Sequence, residues 1–305
     1  MLIRKLKTVL RYIRKGKWSY IAQLAARKLL RQLKPVLSPV IYESISMYIV
    51  LGYWPNLRHP RSFNEKLTHQ KLFIENPLFT IVSDKWRVRQ YVSERVSKDI
   101  LNEVYFVGND PENIPFDDLP SKFAIKANHG SKWNILVTDK ATFDRRTAII
   151  QCKKWMAQKY SSLAQRYERQ YDEIKPLVMV EKFIEPRSDG LPLDYKFMCF
   201  HGVAHFIYVV TYDSSGYRLT YYDTNWRDLD FEFVHPKGRV IPKPPQLNEM
   251  IVISERLSSE IDYCRVDLYC PNDEEIIFGE ITICPGGGHL EFNPTEWDFR
   301  MGEYW

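Results

Sequence analysis

The sequence predicts an α+β protein with a basic helical arm at its N-terminus. Two observations carry that class. The chain reads as helix-rich over residues 40–105, mixed to about 170, and strand-dominated with a few helices thereafter. It also lacks a regular β–α–β alternation, and neither G-x-G-x-x-G nor G-x-x-x-x-G-K-[ST] occurs in it, which argues against a Rossmann site and a P-loop. Over 305 residues, 45% are hydrophobic and 27% charged, enough apolar material for a core and too much for a disordered chain.

The arm comes first. Leu2, Leu6, Val9 and Ile13 recur at three- and four-residue steps, and Arg4, Lys7, Arg11 and Arg14 do the same on another face. Such a helix suits an anionic membrane surface, and it equally suits packing on the body with a solvated basic face. Pro35 and Pro39 punctuate its end. Beyond it, a turn is expected near Tyr53-Trp54-Pro55-Asn56, and Ser83-Asp84 is read as the cap of a helix running to Val96. Residues 103–110 and 122–128 read as strands and 144–168 as a helix. Strands follow at 176–184, 193–200, 203–212, 217–222, 264–270 and 276–283, with a helix at 246–260. His201-Gly202 reads as a tight turn, and residues 236–245 as a Pro-rich surface loop. No internal repeat or low-complexity segment stands out.

Charge divides the chain. Residues 1–42 hold eleven of the 43 Lys and Arg and no acid, so the remainder sets 32 basic against 38 acidic side chains. A mildly acidic body is a poor nucleic-acid partner, and the arm's aromatics do not interleave with its charges as stacking platforms would. Residues 1–34 are therefore expected to meet an anionic membrane, with no nucleic acid involved. No stretch of 18 uncharged apolar residues exists and basic residues interrupt any h-region, so neither a spanning helix nor a signal peptide is expected. Five cysteines without C-x-x-C read as free thiols of a reducing cytoplasm, and a zinc site from Cys264, Cys270 and Cys284 has the wrong spacing.

Near the C-terminus, Cys264 to Cys270 and Ile276 to Ile283 flank the polar turn Pro271-Asn272-Asp273-Glu274-Glu275 and predict a hairpin. Alternation puts Val266 and Leu268 on one face, with Arg265 and Asp267 on the other. A hairpin centred on Asp273 and Glu274 sets Asp267 opposite Glu280 and Arg265 opposite Thr282. Two carboxylates that close need a cation or a proton between them, and hard oxygen ligands favour Mg²⁺. Arg265 beside the metal suits transferring phosphoryl oxygens. From spacing alone, a solvated face of an edge hairpin remains equally open.

Lys126 ends a strand ahead of the small loop Ala127-Asn128-His129-Gly130-Ser131, where phosphate could rest, or which is an ordinary surface loop. Lys196 shares a strand face with Asp194, either against ribose and phosphate or as an exposed charge pair. Leu177 to Val180 turns polar at Glu181, a strand whose end could offer backbone and an apolar wall to adenine, or is simply core. His201 and His205 are not expected to bind metal, and Trp297, Tyr304 and Trp305 are read as packing.

In order and spacing, these segments resemble an ATP-grasp enzyme, and specifically the TupA-like branch, associated with bacterial surface polysaccharide synthesis. The resemblance covers residues 55–305 and includes Ser62-Phe63-Asn64-Glu65-Lys66-Leu67, Ser83-Asp84-Lys85 through Arg89, the Lys126 to Ser131 loop, Glu181 to Ile184, Asp194-Tyr195-Lys196, and Arg265-Val266-Asp267 followed by Gly279-Glu280-Ile281-Thr282. Glu296-Trp297-Asp298 and Gly302-Glu303 also fit.

The resemblance implies ATP gripped by two α+β subdomains. The division it implies is an arm over 1–42, a helical region over 43–120, a small subdomain over 121–180 and a C-terminal subdomain with the metal over 181–305. It implies that Lys126, His129, Gly130, Ser131 and Lys196 surround phosphate, Glu181, Lys182 and Phe183 surround adenine, and Asp194 meets ribose. Asp267, Glu280 and Thr282 would hold Mg²⁺, with Arg265 and Lys196 catalytic. Thr282 stands where the wider superfamily commonly has Asn. The implied activity is an ADP-forming carboxylate–amine ligase working through an acyl phosphate. The expected partners are a uronic-acid-containing glycan or lipid-linked precursor and an amino acid or other amine, at the inner face of a bacterial membrane. A glycosyltransferase or sugar kinase on the same scaffold, or an inactive nucleotide-binding module, are the alternatives.

Overall fold

The computed structural model describes residues 19–160, 167–187, 194–214 and 216–305. The expected stripes of the arm between Leu2 and Arg14 lie outside the described residues. The helices are α1 Ser19–Leu33, α2 Pro39–Leu51, α3 Phe63–Phe73, α4 Pro77–Ser83, α5 Val88–Arg95, α6 Arg145–Met156, α7 Leu247–Ser258 and α8 Glu296–Gly302. The strands are β1 Val104–Gly108, β2 Phe123–Ala127, β3 Asn134–Val137, β4 Val178–Lys182, β5 Asp194–Phe200, β6 Val203–Asp213 and β7 Gly216–Asp223. After them come the short β8 Asp228–Leu229 and β9 Glu232–Phe233, then β10 Tyr263–Tyr269, β11 Ile277–Thr282 and the short β12 Phe292–Asn293.

The chain divides into two units, Met1–Phe73 with Gly286–Glu303, and Ile74–Pro285 with Tyr304–Trp305. The contiguous boundaries at 42, 120 and 180 do not follow this division, because α3 draws in a segment more than 200 residues further along the chain. In the first unit, α2 is delimited as its sequence dictates. Pro39 fills a first-turn position, the Ser38 hydroxyl accepts from Ile41 N, and Gly52 ends the helix at φ 81°. Helix α3 opens on a capping box. Ser62 Oγ accepts from Glu65 N at 3.2 Å, and the Glu65 carboxylate accepts from the backbone N–H groups of Asn56, Arg61 and Ser62 at 2.7, 2.7 and 3.0 Å. One acid thus holds the whole Tyr53–Ser62 turn.

The same helix receives Gly286, Gly287 and Gly288, all at positive φ. Lys71 Nζ donates to Gly287 O at 2.6 Å, and the Asn64 side chain makes a two-way pair with the backbone of Leu290. A Cβ at Gly288 would lie 2.3 Å from Thr68 Oγ1, so the wrap needs glycine for space as well as for φ. Beneath it, Lys71 and His289 both face the buried Glu43, at 2.9 and 3.2 Å. Burial alone would raise the Glu43 pKa, and its two cationic neighbours bring it below the ordinary value.

The second unit holds two antiparallel sheets, one of order β1-β4-β2-β3 and one of order β11-β10-β5-β6-β7-β8. Helix α6 covers the first through Ala148, Cys152 and Trp155. Helix α7 covers the second through Leu247, Met250, Ile253 and Leu257, an apolar stripe at helical spacing, against Tyr195, Phe197, Val266 and Leu268. His201 and Gly202 both have positive φ, 48° and 79°, and form the expected two-residue turn between β5 and β6. All five cysteines are free and buried.

Three expectations shift. The helix read over 144–168 is α6, which ends at Met156 where its buried spacing ends; residues 161–166 lie outside the described ones. The helix from Ser83-Asp84 is broken. Here α4 ends at Ser83, and Asp84 Oδ1 accepts from Trp86 N and Arg87 N, capping the turn ahead of α5. Strand β3 was not expected, since an edge strand that exposes Leu136 lacks the alternation that marks a half-buried one.

Replacing Glu65 by Ala strips three buried or part-buried backbone donors of one ionised acceptor. The expected loss is about 3 kcal/mol of unfolding free energy, read by denaturant titration.

Candidate active site

The second sheet has two unlike faces. Odd residues of β5 and even residues of β10 enter the core beneath α7. The other face carries charge. Its register sets Glu280 of β11 opposite Asp267 of β10, Asp267 opposite Lys196 of β5, and Lys196 opposite Tyr208 of β6. Four side chains thus form one row across four strands. Arg265 and Thr282 stand opposite each other in the next row.

The hairpin arithmetic therefore holds around the two acids, and fails beyond them. Leu268 pairs with Phe278 and Tyr269 with Ile277, one residue out of the expected register, because a bulge intervenes. Gly279 is the extra residue. A Cβ there would come 2.8 Å from Asp267 O. The bulge lets Phe278 point into the core while Glu280 still reaches the polar face. The lone Gly in a strand pattern was the available signal.

Arg265 ties the group together. Its Nε donates to Asp267 Oδ1 at 2.6 Å and its Nη2 to Asp267 Oδ2 at 2.7 Å, a bidentate fork. The same Nη2 reaches Glu280 Oε1 at 2.9 Å and Thr282 Oγ1 at 3.0 Å, while Nη1 donates to Tyr208 OH at 3.2 Å. Lys196 Nζ meets Asp267 Oδ2 at 2.6 Å and also pairs with Asp194. Oxygens of Asp267, Glu280 and Thr282 thus converge on a single cationic nitrogen.

The electrostatics follow from burial opposed by pairing. Burial works against the charge of Arg265 and of Lys196, but Asp267 and its neighbouring oxyanions outweigh it and both pKa values rise. Burial would raise Glu280, yet Arg265, Lys85 and Lys196 bring it down to about 2. Asp194 goes the other way. Burial, helped by Asp267, lifts it to about 6 against the pull of Lys196, and its Oδ1 is a buried oxygen with no hydrogen-bond partner among the described residues.

The first sheet supplies a second pair. Lys126 at the end of β2 donates to Glu181 of β4 at 2.6 Å. The backbone of Lys182 is already engaged, its N–H to Glu103 O and its carbonyl to Asn102 Nδ2. Phe183 follows the strand end, half-buried.

In the loop after β2, Ala127 N closes onto Trp133 O at 3.0 Å. Asn128 is anchored to Asp84, Lys175 and Leu177. The His129 ring, expected toward phosphate, is buried instead, its nitrogens 3.1 Å from Asn128 Oδ1 and Trp155 O, and burial lowers its pKa. Its geometry is that of a brace between the loop and α6. Gly130 lies under Trp133, whose ring a Cβ would meet at 2.6 Å, and Ser131 is half-buried beside it.

One site residue was not singled out by its chemistry. Lys85 donates through Nζ to Gly130 O and through its backbone to Asn128 O. Burial lowers its pKa, and its charged neighbours are Glu280, Lys126, Glu181 and Asp84. It stands electrostatically between the pair on the first sheet and the row on the second. Its neighbours in sequence carry no signal for this role; Asn128, which grips the adjacent Asp84, comes beside it only in the fold.

The donor set suits a hard cation. Two carboxylates and a hydroxyl offer only oxygen, and the shared Nη2 position shows that they can surround one positive centre. Among the described residues, no group of three or more His, Cys, Asp or Glu side chains is placed to hold a metal. Any ion here would need oxygens from a ligand as well.

A family model described as TupA-like ATPgrasp matches residues 65–305. The chain belongs to that family. Comparison with curated proteins finds no match. Among solved structures, this TupA-like protein is similar to a D-alanine–D-alanine ligase from Bacillus anthracis, with 19% identity over 68% of this chain and 58% of that one and a TM-score of 0.40. It is also similar to an L-amino acid ligase from Bacillus licheniformis, with 14% identity over 74% of this chain and 49% of that one and a TM-score of 0.42. The chain therefore spans roughly half the length of each of these structures, and the family assignment rests on the matched residues 65–305.

The depressed pKa of Glu280 has a measurable consequence. An acid with a lowered folded-state pKa stabilises the fold above its ordinary value of 4.5, and that contribution is lost as pH falls toward about 2. The difference in melting temperature between the wild type and Glu280→Gln should shrink as pH is lowered through that window. A constant difference would mean that the carboxylate is not held ionised by Arg265.

Proposed function

We propose that this TupA-like protein is an ATP-dependent, ADP-forming carboxylate–amine ligase whose centre is the Glu280–Asp267–Lys196 row and Arg265. The observation that supports it best is the convergence of three oxygens on one cationic position, beside two lysines, in a chain of the ATP-grasp family. Asp267, Glu280 and Thr282 would hold Mg²⁺, which when bound offsets phosphate charge and orients the nucleotide.

The chain's own residues do the rest. Lys126 from the first sheet, Lys85 from the turn between α4 and α5, and Lys196 from the second sheet would meet phosphate oxygens. Asp194 Oδ1, buried and without a partner among the described residues, suits a ribose hydroxyl. Glu181 to Phe183 would line adenine. Arg265 would leave its carboxylates for the phosphoryl oxygens in flight and hold their charge. In the first step, a carboxylate oxygen of the acceptor bonds to the γ-phosphorus as the bond to ADP breaks. In the second, an amine nitrogen bonds to the acyl carbon, phosphate leaves, and the nitrogen loses a proton. The net result is one amide, ADP and phosphate.

The substrates we propose are the carboxylate of a uronic acid on a polysaccharide precursor and the amine of an amino acid. That choice follows from the resemblance to the TupA-like branch.

ADP release should require Mg²⁺, a uronate and an amine together, and mass spectrometry should find the amide. A phosphorylated or glycosylated product, or ATP turnover without amide, would defeat the ligase reading. Arg265→Lys keeps the charge but loses the fork, and should lower kcat about 100-fold or more with nucleotide affinity little changed. Isothermal titration supplies the second number; Mg²⁺-independent nucleotide binding would indicate a decayed site.

A further inference from the structure

Helix α1 is polarised the opposite way from a helix that merely covers a core. Its inward side, at three- and four-residue steps, carries Gln23, Ala26, Arg27, Leu30 and Lys34, which are half-buried or buried. There the Lys34 ammonium lies 5.7 Å over the ring of Tyr42 on α2. Its outward side, at the same steps, carries Ala22, Ala25, Leu29 and Leu33, all exposed. Leu29 is 60% exposed and Leu33 43%, and the stripe is followed by Val36, 79% exposed, in the connector to α2. Lys28 and Arg31 flank it, both exposed.

We propose that this outward face docks on an anionic lipid bilayer, with Leu29, Leu33 and Val36 entering the headgroup boundary and Lys28 and Arg31 meeting lipid phosphates. Charge selects the occupant. The two exposed charges that flank the face, Lys28 and Arg31, are both basic and residues 22–36 hold no acid, so the face complements a negative surface. A second copy of the chain would bring like charges together around the same leucines. The helix would lie in the plane of the surface, since among the described residues no helix is long and apolar enough to cross a membrane. The proposal does not depend on the ligase reading.

Flotation of the full chain with vesicles tests it. Phosphatidylcholine vesicles containing phosphatidylglycerol should carry the protein up, pure phosphatidylcholine should not, and raised salt should weaken binding. Leu29→Asp with Leu33→Asp should cut binding about tenfold or more while the far-ultraviolet spectrum and melting temperature stay put. Lys28→Glu with Arg31→Glu should do the same without touching the apolar stripe. Undiminished binding by both variants would overturn the proposal and pass the contact to residues 1–18. Concentration-dependent dimers that the leucine variant dissolves would overturn it in favour of a second copy.

Discussion

The polar centre depends on the pairing of β10 with both of its neighbours. Because β10 is antiparallel to β5 and to β11, one residue, Asp267, has Lys196 on one side and Glu280 on the other. Slipping either pair by one residue would send Val266 or Leu268 to the polar face and Asp267 into the apolar layer under α7. The core beneath α7 therefore fixes the site's geometry, since Tyr195, Phe197, Val266 and Leu268 can bury only in this register. Packing energy on one face is converted into charge placement on the other.

That placement is self-neutralising. Asp267 and Asp194 are balanced by Lys196 and Arg265, and Glu280 by Arg265 with Lys85 nearby. Such buried groups would be costly if unpaired. The exposure is graded: the Asp267 side chain is 4% accessible and that of Glu280 40%, so the deep acid anchors the cations and the shallow one meets solvent.

Local features of this architecture were legible in the sequence. The opposition of Asp267 and Glu280 and the His201-Gly202 turn each follow from residues close together in the chain, where spacing alone sets geometry. Features that depend on distant pairing were not. Nothing in β6 says that Tyr208 will face Lys196, and nothing around residue 85 says that a turn between two helices will reach the loop after β2. The orientation of a ring is likewise invisible to spacing, and His129 sits at the position expected of a phosphate loop while its imidazole faces inward. The Gly279 bulge falls between these cases, written in the sequence as one glycine and interpretable only once the strands are paired.

The glycine wrap on α3 has a consequence for the order in which the chain matures. The partners of Asn64 and Lys71 are supplied by residues 287–290, more than 200 positions downstream. As the polypeptide leaves the ribosome, β1 to β11 emerge ahead of the strap, so the strands of both sheets are available while the helical unit still waits for its closing segment. Until residues 287–290 have emerged, Asn64 and Lys71 lack the backbone partners that seat them, and that seam of the helical unit stays open.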